Sequence, residues 1–270
     1  MRPVLFSLFG LDIQSYGVSK AAAALLAAFL LGRAFHARGL TKDDAYSLVM
    51  WATIWGFVGA KVYFLLEHAG EITLHHLGGS GFTWYGGLIG GITAFLVIIR
   101  RRKLPATFVV DAAAIPLTLA YGVGRIGCWL SGDGTYGRPT DLPWGVALPH
   151  AMVPSQVPVH PTPLYETLAA LVIAAALWLW QRRTRPALEV FGGYLILSGV
   201  SRFLVEILRI NEPALFGLTQ PQLWALVSVA VGVGVVVRRR LRSRSRSTPA
   251  VAPASADADG APGERPFIEA

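Results

Sequence analysis

Arg202, Glu206 and Arg209 fall at i, i+4 and i+7 of an otherwise apolar stretch. On a helix that spacing puts a plus, minus, plus stripe on one face. A guanidinium held by a carboxylate one turn away is pre-oriented, and its planar fork suits a phosphate. Arg125 is a second candidate, flanked by Gly122, Gly124 and Gly127. Residues without side chains let another backbone, or a bound anion, come close to the helix. Lys61 is a third basic residue inside an apolar run, and Asp111 joins Glu206 as an acidic one. Charged groups in such surroundings cost several kcal/mol, so each is a functional candidate by default.

The elements that must position them follow from composition. Of 270 residues, 53% are hydrophobic and 15% charged, with a mean hydropathy of +0.50; a soluble domain carries about 25% charged residues. The apolar runs far exceed the roughly 10-residue strands of a membrane barrel, so the chain reads as an all-α polytopic membrane protein. Seven stretches are long enough to span a bilayer: 16–35, 45–66, 84–99, 108–130, 164–180, 187–208 and 221–237. The third is short, and Phe82 and Thr83 are expected to extend it. The residues ahead of the first span lack the form of a secretory leader and read as an amphipathic lead-in.

Positive charge sets the orientation. Of the 24 Lys and Arg, 16 follow the first, third, fifth and seventh spans, the last group being six Arg from Arg238 to Arg246. The opposite segments hold almost none: 67–83 has no Lys or Arg, and 131–160 has Arg138 alone. The N-terminus is therefore expected outside and the C-terminus in the cytoplasm. The net charge of +8 reflects topology, which removes nucleic acid as a partner. Residues 1–242 form the seven-helix membrane domain, and 243–270, rich in Arg, Ser, Ala and Pro, form a disordered cytoplasmic tail.

With even-numbered spans starting in the cytoplasm, depth follows from a rise of about 1.5 Å per residue. Lys61 then lies about 24 Å up its helix, Arg125 about 25 Å and Arg202 about 22 Å, all in the outer half of a core about 30 Å thick. Odd spans enter at the same level with Tyr16, Trp84, Tyr85, His160 and Tyr165. Snorkelling to headgroups is the plain explanation for a single Lys or Arg. Two fixed cations on different helices at headgroup depth make a clamp for an anionic phospholipid. Tyr85-Gly86-Gly87-Leu88-Ile89-Gly90-Gly91 adds four glycines, read either as tight helix packing or as close approach of a headgroup.

These residues carry a family resemblance. Gly124-Arg125-Ile126-Gly127 through Gly132, Gly137-Arg138 and Asp141-Leu142-Pro143-Trp144 is similar to the signature segment of the bacterial phosphatidylglycerol–prolipoprotein diacylglyceryl transferases. Tyr85-Gly86-Gly87-Leu88-Ile89-Gly90 resembles their H-G-G-L-x-G motif, and His160-Pro161-Thr162-Pro163-Leu164-Tyr165-Glu166 their H-P-x-x-L-Y-E stretch. Ser201-Arg202-Phe203-Leu204-Val205-Glu206, completed by Arg209, resembles R-F-x-V-E-x-x-R, and Ser15-Tyr16-Gly17 fits the start of the first helix. The likeness covers roughly residues 14–210. Three positions depart: Tyr85 replaces the motif histidine, Cys128 an asparagine, and Lys61 an arginine.

The resemblance implies transfer of diacylglycerol from phosphatidylglycerol to the lipobox cysteine of a preprolipoprotein, with release of glycerol phosphate. It implies an enzyme of the bacterial cytoplasmic membrane, monomeric, without cofactor or metal, its active site near the outer leaflet. Arg125, Arg202, Tyr85, His160, Tyr165 and Glu206 are the catalytic candidates. Phosphatidylglycerol is expected at Arg125, Arg138, Arg202, Lys61, Tyr16, Gly86, Gly87, Gly137 and Cys128. The family histidine being absent, the base is open among His160, Tyr165, Glu206 and the pair His75-His76. Cys128 reads otherwise as a small apolar filler, and two adjacent histidines make a poor metal site. A transporter would gather polar groups near the midplane and show internal repeats, neither of which is seen. A lipid-binding relative with altered chemistry is the alternative.

Overall fold

The structure is a computed structural model and describes residues 2–8, 11–70, 81–183 and 186–247. His75, His76, Arg185 and residues 248–270 lie outside the described residues. Among the described residues, seven helices run in chain order: α1 Ser15–Ala37, α2 Lys42–Glu67, α3 Trp84–Arg101, α4 Ala106–Ser131, α5 Thr162–Gln181, α6 Glu189–Glu206 and α7 Gln220–Ser247. Five of them, α1, α2, α4, α5 and α7, are long and apolar enough to cross a membrane. The 18-residue α3 and α6 carry more polar character: α3 four glycines and two arginines, α6 Arg202 and two glutamates.

Local chemistry explains several boundaries. Thr41 caps α2, its hydroxyl accepting from the Asp44 N–H at 3.3 Å and donating to the Asp44 carboxylate at 2.7 Å. Thr219 and Gln222 cap α7 reciprocally, each side chain accepting the other's backbone N–H, as in a capping box. The expected extension of α3 by Phe82 and Thr83 is corrected, because Thr83 is extended (φ −93°, ψ 130°) and serves as N-cap. The end expected at Val237 is also corrected. The arginine block propagates a helix well, and α7 runs on as helix to Ser247.

The all-α expectation omits three small antiparallel hairpins: β1 Val4–Leu8 with β2 Leu11–Gln14, β3 Val146–Leu148 with β4 Ser155–Val159, and β5 Pro213–Leu215 with β6 Leu218–Thr219. The first replaces the amphipathic lead-in and anchors α1 through Ser15 N–H to the Pro3 carbonyl at 2.9 Å. The second packs Leu148, Ala151 and Val159 with Tyr136 into a small separate core. All three stand at one end of the bundle, where the long connections run. At the other end the connections are short and basic.

The helices pack α1 against α2 and α4, α4 against α5 and α6, α5 against α6, α6 against α7, and α2 against α3. Close approach of α2 and α3 accounts for the glycines of α3. A Cβ on Gly86 would run into the Gly59 carbonyl oxygen and one on Gly90 into that of Trp55, while Gly87 and Gly91 face the Gly56 and Ala52 carbonyls. Of the two readings of this cluster, the geometry carries helix packing. Asp111 has a tertiary role: its carboxylate accepts from the Leu188 N–H at 2.6 Å and the Phe191 N–H at 2.8 Å, capping the start of α6 from α4.

Candidate active site

Five helices contribute to one cavity of about 600 Å³ at the long-loop end. Tyr85 enters from α3, Arg125 and Tyr121 from α4, Glu166 from α5, Arg202 from α6 and Trp224 from α7. Three of the expected catalytic residues, Arg125, Arg202 and Tyr85, therefore meet in one space. The helical period explains the convergence on α4: Tyr121 and Arg125 are one turn apart on the cavity face, with the Arg125 Cζ 4.9 Å from the Tyr121 ring centroid.

Glu166 is the centre of the charges, and only 2% of it is exposed. Its Oε1 accepts from the Tyr121 hydroxyl at 2.6 Å and the Arg202 Nη1 at 2.9 Å. Its Oε2 lies 3.1 Å from the Arg125 Nε and 3.7 Å from the Arg209 Nη1. Glu206 is the second carboxylate, also 2% exposed. It pairs with the Arg202 Nη2 at 2.9 Å and the Arg209 Nε at 3.6 Å, and it accepts from the Thr219 hydroxyl at 3.0 Å and from the Asn211 amide. Buried charges persist only when paired and hydrogen-bonded; this network pairs every charge across α4, α5 and α6, while Glu166 Oε2, Glu206 Oε2 and the Arg209 Nε and Nη1 have no hydrogen-bond partner among the described residues. Three guanidiniums against two carboxylates leave a formal charge of +1.

The pairings refine the expected clamp. Arg202 does not keep its fork open, since Nη1 goes to Glu166 and Nη2 to Glu206. Arg125 meets Glu166 through its inner nitrogen, Nε, at 3.1 Å. The helix ends at Glu206, so Arg209 lies in the following turn, yet it stays beside both carboxylates and is 10% exposed.

Other expected site residues fall elsewhere. His160 and Tyr165 form their own pair at the start of α5: His160 Nδ1 is 3.3 Å from the Tyr165 oxygen, which accepts from the Trp144 Nε1–H at 2.7 Å. They lie outside the cavity lining. Arg138 donates from its side chain to the Ile207 carbonyl and from its backbone to that of Leu208. With Gly137, bridged to Arg209, it fastens the long loop to the end of α6. Lys61 stacks over Phe64 and Phe82, its Nζ 5.6 Å and 5.0 Å from their ring centroids. Gly86 and Gly87 face α2, Cys128 is buried in α4, and Tyr16 lies at the start of α1 under Lys20.

The sequence places Glu166 only at the end of the H-P-x-x-L-Y-E stretch and gives no sign of Tyr121, the two residues that join at the centre of the network. A carboxylate on the fifth residue of an apolar helix was the available signal, on the same grounds that singled out Arg202. The Tyr85 hydroxyl has no protein hydrogen bond among the described residues. Its ring sits 6.5 Å from that of Tyr63 and 6.4 Å from that of Trp224.

Comparison with known proteins agrees with the motifs. The family model for prolipoprotein diacylglyceryl transferase matches residues 3–238. The chain is 34% identical over 215 residues to the phosphatidylglycerol–prolipoprotein diacylglyceryl transferase of Clostridium tetani, covering 77% of this chain and 86% of that one. It is 32% identical over 228 residues to the protein of the same name from Geobacter sulfurreducens, covering 81% and 86%. For the Bordetella avium protein of that name the figures are 33% over 218 residues, 77% and 81%. With a match over nearly its whole length and relatives above 30% identity, the chain belongs to the prolipoprotein diacylglyceryl transferase family.

Proposed function

We propose that this protein transfers diacylglycerol from phosphatidylglycerol to the lipobox cysteine of preprolipoproteins, the first step of lipoprotein maturation. The observation that carries the reading is the convergence of Arg125, Arg202, Glu166 and Tyr85 on one cavity walled by apolar helices. In the reaction, the substrate's thiolate attacks the glyceryl carbon that bears the phosphate ester. A carbon–sulfur bond forms, the carbon–oxygen bond breaks with its electron pair going to the phosphate oxygen, and glycerol phosphate leaves. Negative charge thus grows on an already anionic phosphate. A fixed cation in a low-dielectric site is suited to stabilise it without reorganisation.

Arg125 binds the phosphate with the outer edge of its fork, while Glu166 holds Nε and sets the orientation. Arg202 fixes both carboxylates and lends its charge. The net charge of +1 on the network matches a phosphodiester monoanion. The thiol ionises without a dedicated enzyme base. A free thiol titrates near ~8.5 and is a few per cent thiolate at neutrality, and the positive site favours that form. The Tyr85 hydroxyl orients substrate by a hydrogen bond. His160, Tyr165 and Glu206, each engaged with protein partners, act as supports.

All seven helices span the bacterial cytoplasmic membrane, N-terminus outside, C-terminus in the cytoplasm, as a monomer whose cavity opens at the outer leaflet. The short basic connections at one end and the long ones poor in Lys and Arg at the other support this orientation. Residues 1–242 make up the transferase domain, followed by a cytoplasmic tail. The test is the purified protein in nanodiscs containing phosphatidylglycerol, given a synthetic lipobox peptide. A diacylglyceryl thioether peptide with stoichiometric glycerol phosphate is expected, and none with the Cys→Ser peptide. Phosphatidylglycerol left unconsumed by an intact protein would overturn the reading.

A further inference from the structure

We infer that Lys20, on α1 and outside the lining of the cavity, is a second phosphate-contacting cation, reaching phosphatidylglycerol from the α1 side of α4; the inference rests on the transferase reading and deepens it. Lys20 lies in the second turn of α1. Ser19 holds that turn against α4, donating to the Val123 carbonyl at 2.6 Å and filling the space a Gly127 side chain would take. The next residue brings its amine to α4 itself: a Cβ on Gly124 would sit 3.2 Å from the Lys20 Nζ. The amine also lies 4.8 Å from the Tyr16 ring centroid. Gly124 immediately precedes Arg125, and successive helical residues differ by about 100° around the axis. Lys20 and Arg125 therefore flank one turn of α4 from two sides.

No carboxylate pairs with Lys20 among the described residues. Snorkelling to whichever headgroup is nearest is the plain alternative for such an amine. Against it stands the clasp: the amine is held between the Tyr16 ring and the α4 backbone, at a glycine that leaves it room. Charge supplies the purpose. The Arg–Glu network carries a formal +1, which suits the phosphodiester before reaction. Glycerol phosphate departs with one further negative charge, and Lys20 provides the further positive one. Lys20 neither gains nor loses a proton in the step.

The test uses the full chain in nanodiscs, comparing parent, Lys20→Met, Lys20→Arg and Gly124→Ala. Two readouts are taken: retention of phosphatidylglycerol over phosphatidylcholine by mass spectrometry, and kcat/KM for transfer. Lys20→Met is expected to lose retention and roughly ten- to a hundredfold in kcat/KM, the worth of a charge-assisted hydrogen bond, with Lys20→Arg recovering most of it. Gly124→Ala displaces the amine without removing it, so it should cost less, and should cost nothing further in the Lys20→Met background. It also carries the test if Lys20→Met fails to fold. Parental retention and kcat/KM in Lys20→Met, or in Gly124→Ala where only that variant folds, would overturn the inference in favour of snorkelling. If the parent retains phosphatidylglycerol but transfers nothing, the transferase reading fails, and Lys20 is still judged by retention.

Discussion

Arg125 Nε lies 3.1 Å from Glu166 Oε2, an ion pair that joins α4 to α5 beside the cavity. Glu166 also receives the Tyr121 hydroxyl and Arg202, so one carboxylate fixes the position of both arginines expected to meet the phosphate. Removing one partner of a buried ionic group leaves the others uncompensated, which costs about 3–5 kcal/mol. Glu166→Gln keeps the shape and loses the charge. It should lower the melting temperature in detergent markedly and abolish transfer. A variant with parental melting and parental transfer would show that Glu166 does not organise the site.

The arginines should separate by substitution. Arg125→Ala and Arg202→Ala are both expected to abolish transfer. Arg125→Lys should lose more of kcat/KM than of stability, because the outer fork edge is the part proposed to meet the phosphate. Arg202→Lys should chiefly destabilise, because one ammonium cannot bridge Glu166 and Glu206 as Nη1 and Nη2 do. Steady-state kinetics beside thermal denaturation checks this; equal losses of both kinds in the two Lys variants would contradict the division of roles.

Asp111 is a stability residue far from the cavity. Its two bonds to the Leu188 and Phe191 N–H groups cap α6, which carries Arg202 at its other end. Asp111→Ala should cost about 0.5–2 kcal/mol, the range for a lost helix cap, with kcat unchanged at a temperature where the protein is folded. A fall in kcat without a fall in melting temperature would place Asp111 in the chemistry instead.

The helices were legible because length, apolarity and charge placement are local properties. Each expected span matches a helix to within three residues except at the end of α7, where arginines continue the helix without continuing the apolar run. The hairpins were not legible, being strands of two to five residues set among Gly and Pro, too short for any period to show. At the site, Arg125 and Arg202 stood out as single expensive residues. Glu206 stood out beside Arg202 and does pair with it. Glu166, the partner that Arg125 and Arg202 share, did not, because it is 41 and 36 residues away in sequence and only the packing of α5 between α4 and α6 unites them. Lys20 passed as an ordinary lysine near a helix start. The Gly124 that receives it lies on another helix, and only the fold brings the two together.

Orientation has a direct check. The basic connections after α1, α3 and α5 and the arginine end of α7 should all face the cytoplasm. Alkaline phosphatase fused after Ser247 should be inactive in cells, while a fusion within 132–161 should be active. High activity of the Ser247 fusion would reverse the topology and move the cavity to the inner leaflet.

The last expectation concerns Tyr85, which stands where the family motif has histidine. Its hydroxyl has no protein hydrogen bond among the described residues, and its ring is wedged between Tyr63 and Trp224 on the cavity wall. That arrangement suits an orienter that gives its one hydrogen bond to substrate. Tyr85→Phe should then lower the rate about three- to tenfold, since a hydrogen bond is worth about 0.5–1.5 kcal/mol net. Loss of an essential general base would cost about 10²–10⁴. If the substrate thiol ionises unaided, kcat/KM should rise tenfold per pH unit from pH 6 toward the thiol's own pKa near ~8.5, with the same profile in Tyr85→Phe. Tyr85→His should be tolerated and add a shoulder near neutrality, because imidazole titrates there. A collapse of more than a hundredfold in a folded Tyr85→Phe, or a profile that loses its slope with the hydroxyl, would make Tyr85 the base.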